Sequence, residues 1–148
     1  MPGRTRRELA HQLADVAAFS RCTRRERVTV ARHMETTTLA DGATLIEEGE
    51  EGDAFFVILD GAATVRRSGV DVASVGPGSW FGELALLDGE PRSATVVATG
   101  PTTVAVLGVR LFRTLLREFP DMTSAILAGL ASDLRRTRDA LDEATARV

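Results

Sequence analysis

Residues 81–95 read FGELALLDGEPRSAT and stand between two β-branched runs. A helical turn beginning near Glu83 leaves the backbone N–H groups of Leu84, Ala85 and Leu86 without intrahelical acceptors, and such ends attract anions. Gly82 has no side chain to hold a ligand away from the backbone. Arg92 is the sole basic residue between Arg67 and Arg110, and its planar guanidinium can close on the same anion. Together these features describe a phosphate cradle. A carboxylate at Glu83 repels an anion unless it has work of its own, and a ribose hydroxyl beside a backbone-bound phosphate supplies it, as in dinucleotide folds. The ligand implied is a compact nucleotide. A plainer reading has Glu83 and Arg92 closing the loop as an ion pair.

Outward from this segment the texture is β. From Thr36, short β-branched runs are cut by Asp41-Gly42, Gly49, Gly52, Asp60-Gly61, Gly69 and Gly76-Pro77-Gly78, turn residues at the spacing of a small antiparallel barrel or sandwich. The expected strands are Glu35 to Ala40, Thr44 to Glu47, Ala54 to Leu59, Ala62 to Arg67, Val70 to Val75, Ala94 to Ala98 and Thr102 to Gly108. On either side the period becomes helical. Two helices fit between Arg4 and Met34, and a short one fits Val109 to Glu118, with Phe119-Pro120 as punctuation. A long helix then runs from Asp121 to the end. Along it Leu127, Leu130, Leu134, Thr137, Leu141, Ala144 and Val148 alternate steps of three and four, the seam of a coiled coil. The seam predicts pairing of two chains through residues 121–148, against the simpler alternative of a helix packed on its own barrel.

Composition removes whole classes of chemistry. The chain has 148 residues, 44% hydrophobic and 26% charged, the profile of one soluble globular domain. It contains no run of about 18 apolar residues and its start lacks the pattern of a secretory signal, so a cytoplasmic protein without membrane insertion is expected. All 18 basic residues are arginine and there is no tyrosine. Without lysine there is neither a P-loop lysine nor a Schiff base. Cys22 stands alone, and His11 and His33 lie far from the glycine-rich centre, so neither a thiolate cluster nor a histidine-ligated metal is expected there. The net charge is −3, a poor match to nucleic acid. The arginine-rich start reads as a solvated helix face.

The segment Phe81–Thr95, with its Gly, Glu, Pro-Arg and Ala pattern, resembles the phosphate-binding cassette of the cyclic nucleotide-binding domain family, and the order of elements from about Leu13 to Leu141 resembles that family too. The resemblance implies an α+β, mainly β fold: a double-stranded β-helix, an eight-stranded jelly-roll barrel flanked by N-terminal helices and a long C-terminal helix. Residues 1–35 would be the N-terminal helices, 36–108 the jelly roll with its cassette at 81–95, and 109–148 the C-terminal helices, all one cyclic nucleotide-binding domain. It implies that Glu83 binds the ribose 2′-hydroxyl and Arg92 the cyclic phosphate. Gly82, Leu84, Ala85, Ser93 and Ala94 would contribute backbone amides or, for Ser93, a hydroxyl.

The base would meet Ala63, Val65, Val72 and Val75, although alternating apolar residues are also ordinary core; Trp80 reads as core. Ser93 does not decide between cAMP and cGMP. Thr137, aligned with the base-facing position of the long helix, favours cAMP, whereas Arg138 departs from the second hydroxyl of related activators. No cofactor is implied, and no catalysis, since nothing near the cassette offers a matched acid and base. The expectation is a cyclic nucleotide sensor acting on an unknown downstream protein. The alternatives are the regulatory part of a larger transcription regulator, whose helix-turn-helix would follow the long helix although the sequence stops at Val148, a cGMP sensor, or a cupin-like metalloenzyme, for which the barrel lacks histidines. Arg92→Ala is expected to weaken binding with little effect on folding.

Overall fold

The computed structural model describes residues 5–82 and 89–146. Two N-terminal helices, α1 (Arg6–Leu13) and α2 (Arg24–Arg32), each begin with a reciprocal cap, Thr5 with Glu8 and Thr23 with Glu26. These T-x-x-E boxes satisfy amides that the first turn leaves open. A single 3₁₀ turn, Ala17–Phe19, joins the two helices. After the sheet come α3 (Val109–Glu118) and α4 (Pro120–Ala146), broken at Phe119, because a residue preceding proline avoids helical angles while proline itself starts a helix well.

The strands are β1 (Glu35–Leu39), β2 (Thr44–Ile46), β3 (Ala54–Arg67), β4 (Val70–Val75), β5 (Trp80–Phe81) and β6 (Thr95–Gly108). Two expected pairs of strands are thus single 14-residue strands, β3 and β6, and the expected set lacked β5. The two long strands pair with each other antiparallel. On its far side β6 carries β2 against one half and β1 against the other, while β3 carries β5 and β4 in the same way. Instead of a closed eight-stranded barrel, the described residues form a six-stranded jelly-roll sheet that remains open.

Asp60-Gly61, expected to end a strand, and Gly100-Pro101, in the gap between two expected strands, face each other across the ladder where its register shifts. They are bulges that bend paired strands through a common corner. Gly61 has φ +91°, and a Cβ there would stand 2.5 Å from the Pro101 carbonyl oxygen. Buried Thr102 pins the corner, its hydroxyl lying 2.9 Å from the Ala62 carbonyl oxygen and 3.0 Å from that of Gly100.

Alternation along β3 divides the apolar interior in two. Phe55, Val57 and Leu59 face the helices, with Ala105 and Leu107 beside them on β6, and meet Leu13, Phe19, Val30, Phe112, Met122 and Ile126 in the main core. The Phe55 ring touches Phe19, Trp80 and Phe112 at centroid distances of 5.7, 5.5 and 6.3 Å. On the opposite face Ile58, Ala63, Val96 and Val104 are fully buried, ringed by half-exposed residues that include Phe56, Val65, Val75 and Phe81. Because β3 is apolar on both faces at its start, AFFVIL shows no polar alternation.

The α4 seam is divided as well. Its N-terminal half sits against the 3₁₀ turn, where Gly129 passes so close to Ala17 that a Cβ would overlap the Ala17 carbonyl oxygen. Leu130 accordingly packs on the chain's own core, while Leu127, Leu134 and Leu141 are 59%, 64% and 65% exposed.

Cys22 lies in the main core. Burial, helped by Glu26 and opposed by Arg27, pushes its thiol from 9.0 up to about 11. The folded state therefore holds the Cys22 proton across a range in which the unfolded chain releases it. Cys22 stabilisation is present below about pH 9 and is lost as pH rises toward 11. Urea unfolding from pH 8 to 11 should show this decline, and Cys22→Ala should flatten it. Iodoacetamide at pH 8 should label the native thiol far more slowly than the unfolded one. Equal labelling rates would show that the site opens readily.

Candidate functional site

The inner face of the sheet leads directly to Arg92. Phe81 stacks on Phe56 at 5.6 Å within the inner apolar cluster, and the next residue, Gly82, receives the guanidinium. Arg92 Nη1 donates to the Gly82 carbonyl at 3.0 Å and Nη2 to the Ala54 carbonyl at 2.8 Å. Asp53 stands outside this pair, its Oδ1 4.0 Å from Nη2; the Arg92 side chain is 4% exposed and that of Asp53 94%. A guanidinium fixed in this way can give an anion charge-assisted hydrogen bonds.

The backbone fixes Arg92 as firmly as its side chain does. Arg92 N–H donates to the Glu50 carbonyl at 2.8 Å, and its carbonyl accepts from Gly49 N–H at 2.9 Å. The Ser93 carbonyl accepts from Arg67 Nε at 3.3 Å, and the Thr95 hydroxyl accepts from Glu48 N–H at 2.9 Å. The turn at 49–53 is thereby tied to the start of β6. Gly82 has φ +92°, and a Cβ there would lie 2.6 Å from Arg92 Nη1 and 2.7 Å from the Ala54 oxygen. Glycine is therefore required twice at this position, for its conformation and for the space that Arg92 occupies.

Of the expected site residues, the structure brings Gly82 and Arg92 into contact and puts Ser93, exposed, and Ala94, buried, immediately after Arg92. Glu83, Leu84 and Ala85 lie outside the described residues. Ala63 is opposite Val75 on β4 and Ala98 on β6, and Val65 is opposite Ala73 and Val96, so these side chains share the inner face. Val72 falls at a register shift of β4 and is 51% exposed. Ala73, two residues from Val75, is the β4 residue opposite Val65, whereas Val72 stands three residues from Val75 and so falls outside that alternation. Thr137 is exposed, and its hydroxyl donates to the Asp133 carbonyl at 3.1 Å. Trp80 packs on the main core.

The sequence reading missed Ala54, Asp53 and the 49–50 backbone as Arg92 partners. Their signal was Gly49 and Gly52-Asp53, visible as turns but with nothing to say what they turn toward. Among the described residues, no group of three or more His, Cys, Asp or Glu side chains is placed to hold a metal. No helix in the described residues is long and apolar enough to cross a membrane.

The likeness to known proteins follows the same elements. Over 111 residues, 75% of this chain, the sequence is 38% identical to a cAMP-dependent protein kinase regulatory subunit of Hypocrea atroviridis, and the match spans 24% of that subunit. The regulatory domain of Toxoplasma gondii PKA, solved with cAMP, superposes with a TM-score of 0.71 at 32% identity, over 83% of this chain and 49% of that one. A cyclic nucleotide-binding domain from Methylobacillus flagellatus superposes with a TM-score of 0.80 at 28% identity, over 97% and 84% of the two chains. This chain thus spans only part of its kinase relatives. The model of the cyclic nucleotide-binding domain matches residues 36–119, which run from β1 to the end of α3 and hold the whole Arg92 site, and it is to this family that the chain belongs.

Proposed function

We propose that the chain binds a cyclic nucleotide, cAMP in preference to cGMP, and works in the cytoplasm as a sensor without catalytic activity. The observation that carries the reading is Arg92, a buried cation fixed by Gly82 and Ala54 at the edge of an incompletely covered apolar face. The cyclic phosphate takes Arg92 and the amides of Gly82, Leu84, Ala85, Ser93 and Ala94. Glu83 takes the ribose 2′-hydroxyl. The purine lies on the half-exposed Val65 and Val75, which cover the buried Ala63. The cAMP-bound Toxoplasma relative supports the choice of ligand.

Thr137 offers its hydroxyl to the adenine amine, and a ligand closing on Arg92 and α4 favours one of two positions of that helix. The shift extends only as far as the two arrangements differ in affinity. Calorimetric titration with cAMP and cGMP side by side tests the site and its selectivity together. Saturable binding with cAMP the tighter ligand is expected; silence toward both at millimolar concentration overturns the reading. The greater length of the kinase relatives favours a second reading, in which this chain is the sensing part of a larger regulator acting on an unidentified protein.

The exposed stripe of Leu127, Leu134 and Leu141 recurs every seven residues, and a second copy of the chain covers it in a homodimer through α4. Leu134→Asp should convert a sedimenting dimer to monomer with the fold unchanged by circular dichroism. A wild-type monomer at high micromolar concentration would remove the dimer from the proposal.

A further inference from the structure

A cavity of about 640 Å³ lies between α1 and α2, lined by residues of those two helices alone. Its size falls within the range of small-molecule sites, about 300 to 1,000 Å³, and it shares no residue with the Arg92 site. Its charge is unbalanced. Arg7 from α1 and Arg24 and Arg27 from α2 line it, with Glu8 as the one acidic lining residue. The Glu8 carboxylate is engaged elsewhere, accepting from Thr5 N–H at 3.1 Å in its capping box, and Glu26 on α2 accepts from Thr23 N–H at 2.7 Å.

Among the described residues, no carboxylate forms an ion pair with Arg7, Arg24 or Arg27. Arg27 donates from Nη1 to the Cys22 carbonyl, while its Nε is buried without a partner. A buried donor left open is unfavourable by about 1–3 kcal/mol, which an anion drawing the guanidinium toward the cavity recovers. Ala10 and Val28 line the same space, and the alkyl stems of three arginines add apolar surface. The cavity therefore offers cationic heads and hydrocarbon walls together, a pairing that neither a bare inorganic ion nor a neutral hydrocarbon uses fully.

We propose that this cavity binds a small organic anion with an apolar body, its acid group on Arg24 and Arg27 and its hydrocarbon along Ala10 and Val28. The first probe is octanoate, titrated into the isotopically labelled chain while the backbone amides of residues 7–12 and 24–28 are followed by NMR. Inorganic phosphate carries charge without an apolar body, and 1-octanol an apolar body without charge. Octanoate should shift these amides saturably, with phosphate and octanol at least about tenfold weaker, the difference expected from losing one set of contacts. Arg27→Gln should weaken octanoate about tenfold. Arg24→Gln, which removes an exposed side chain that takes no part in the Cys22 contact, should do the same and keeps the test decisive should loss of the Cys22 contact unfold the other variant. Absence of saturable shifts overturns the proposal, as does octanol or phosphate binding as tightly as octanoate, or wild-type affinity in Arg24→Gln.

Discussion

Arg92→Ala should lower cAMP affinity by about a hundredfold. Two hydrogen bonds from a charged donor contribute at least roughly 1.5 kcal/mol each, and about 1.4 kcal/mol is a factor of ten in the dissociation constant. The structure also revises the expectation that folding is spared. The guanidinium bridges the carbonyls of Ala54 and Gly82 in a buried place, so its removal leaves two acceptors unfilled and a space behind. A stability loss of about 2 kcal/mol follows, or a melting temperature lower by roughly 4–8 °C for a chain of this size. Calorimetry well below the melting transition separates the two effects. Arg92→Lys keeps the charge but not the planar fork, so it should fall between the wild type and alanine in affinity. Alanine-variant affinity within threefold of the wild type would reject Arg92 as the phosphate ligand.

Gly129→Val should destabilise the chain by about 3 kcal/mol, at the upper end of what overpacking a filled site does. The neighbour that a side chain meets is not a movable group but the Ala17 carbonyl, in a 3₁₀ turn anchored by fully buried Phe19. Relief requires α4 to lift away, which draws Met122 and Ile126 out of the main core. Gly129→Ala makes the sharper test because two effects oppose each other. Helix propensity alone predicts a gain of about 1 kcal/mol over glycine, whereas the close approach predicts a loss. Urea unfolding should show the loss, and limited proteolysis should cut α4 faster in both variants. A stabilised Gly129→Ala would mean that α4 is not held against the turn.

What could be read in advance depended on distance along the chain. The breaks at Asp41-Gly42, Gly69 and Gly76-Pro77-Gly78, the helix stop at Phe119-Pro120 and the helical textures at both ends are short-range properties, and α3 runs over Val109–Glu118 as the period predicts. Asp60-Gly61 is also a short-range turn signal, yet it became a bulge. Its partner at Gly100-Pro101 lies across the ladder, and a paired strand at such a signal bends where an unpaired one would end. Val72 differs: it stands three residues from Val75, so strict alternation already separates the two, and Ala73 is the β4 residue opposite Val65.

From its residues alone the chain determined where helix gives way to strand and back, and that Gly82 and Arg92 belong together in one segment. Caps, turns, periodicity and the reach of a guanidinium all act within a few residues of one another. The tertiary structure decided that the guanidinium of Arg92 rests on the carbonyl of Ala54, 38 positions away, that Leu130 faces inward while Leu127 and Leu134 face out, and that three arginines from two helices share a cavity with a single acidic lining residue. Each of these depends on which distant surfaces meet, and that is a property of the packed chain rather than of any window along it.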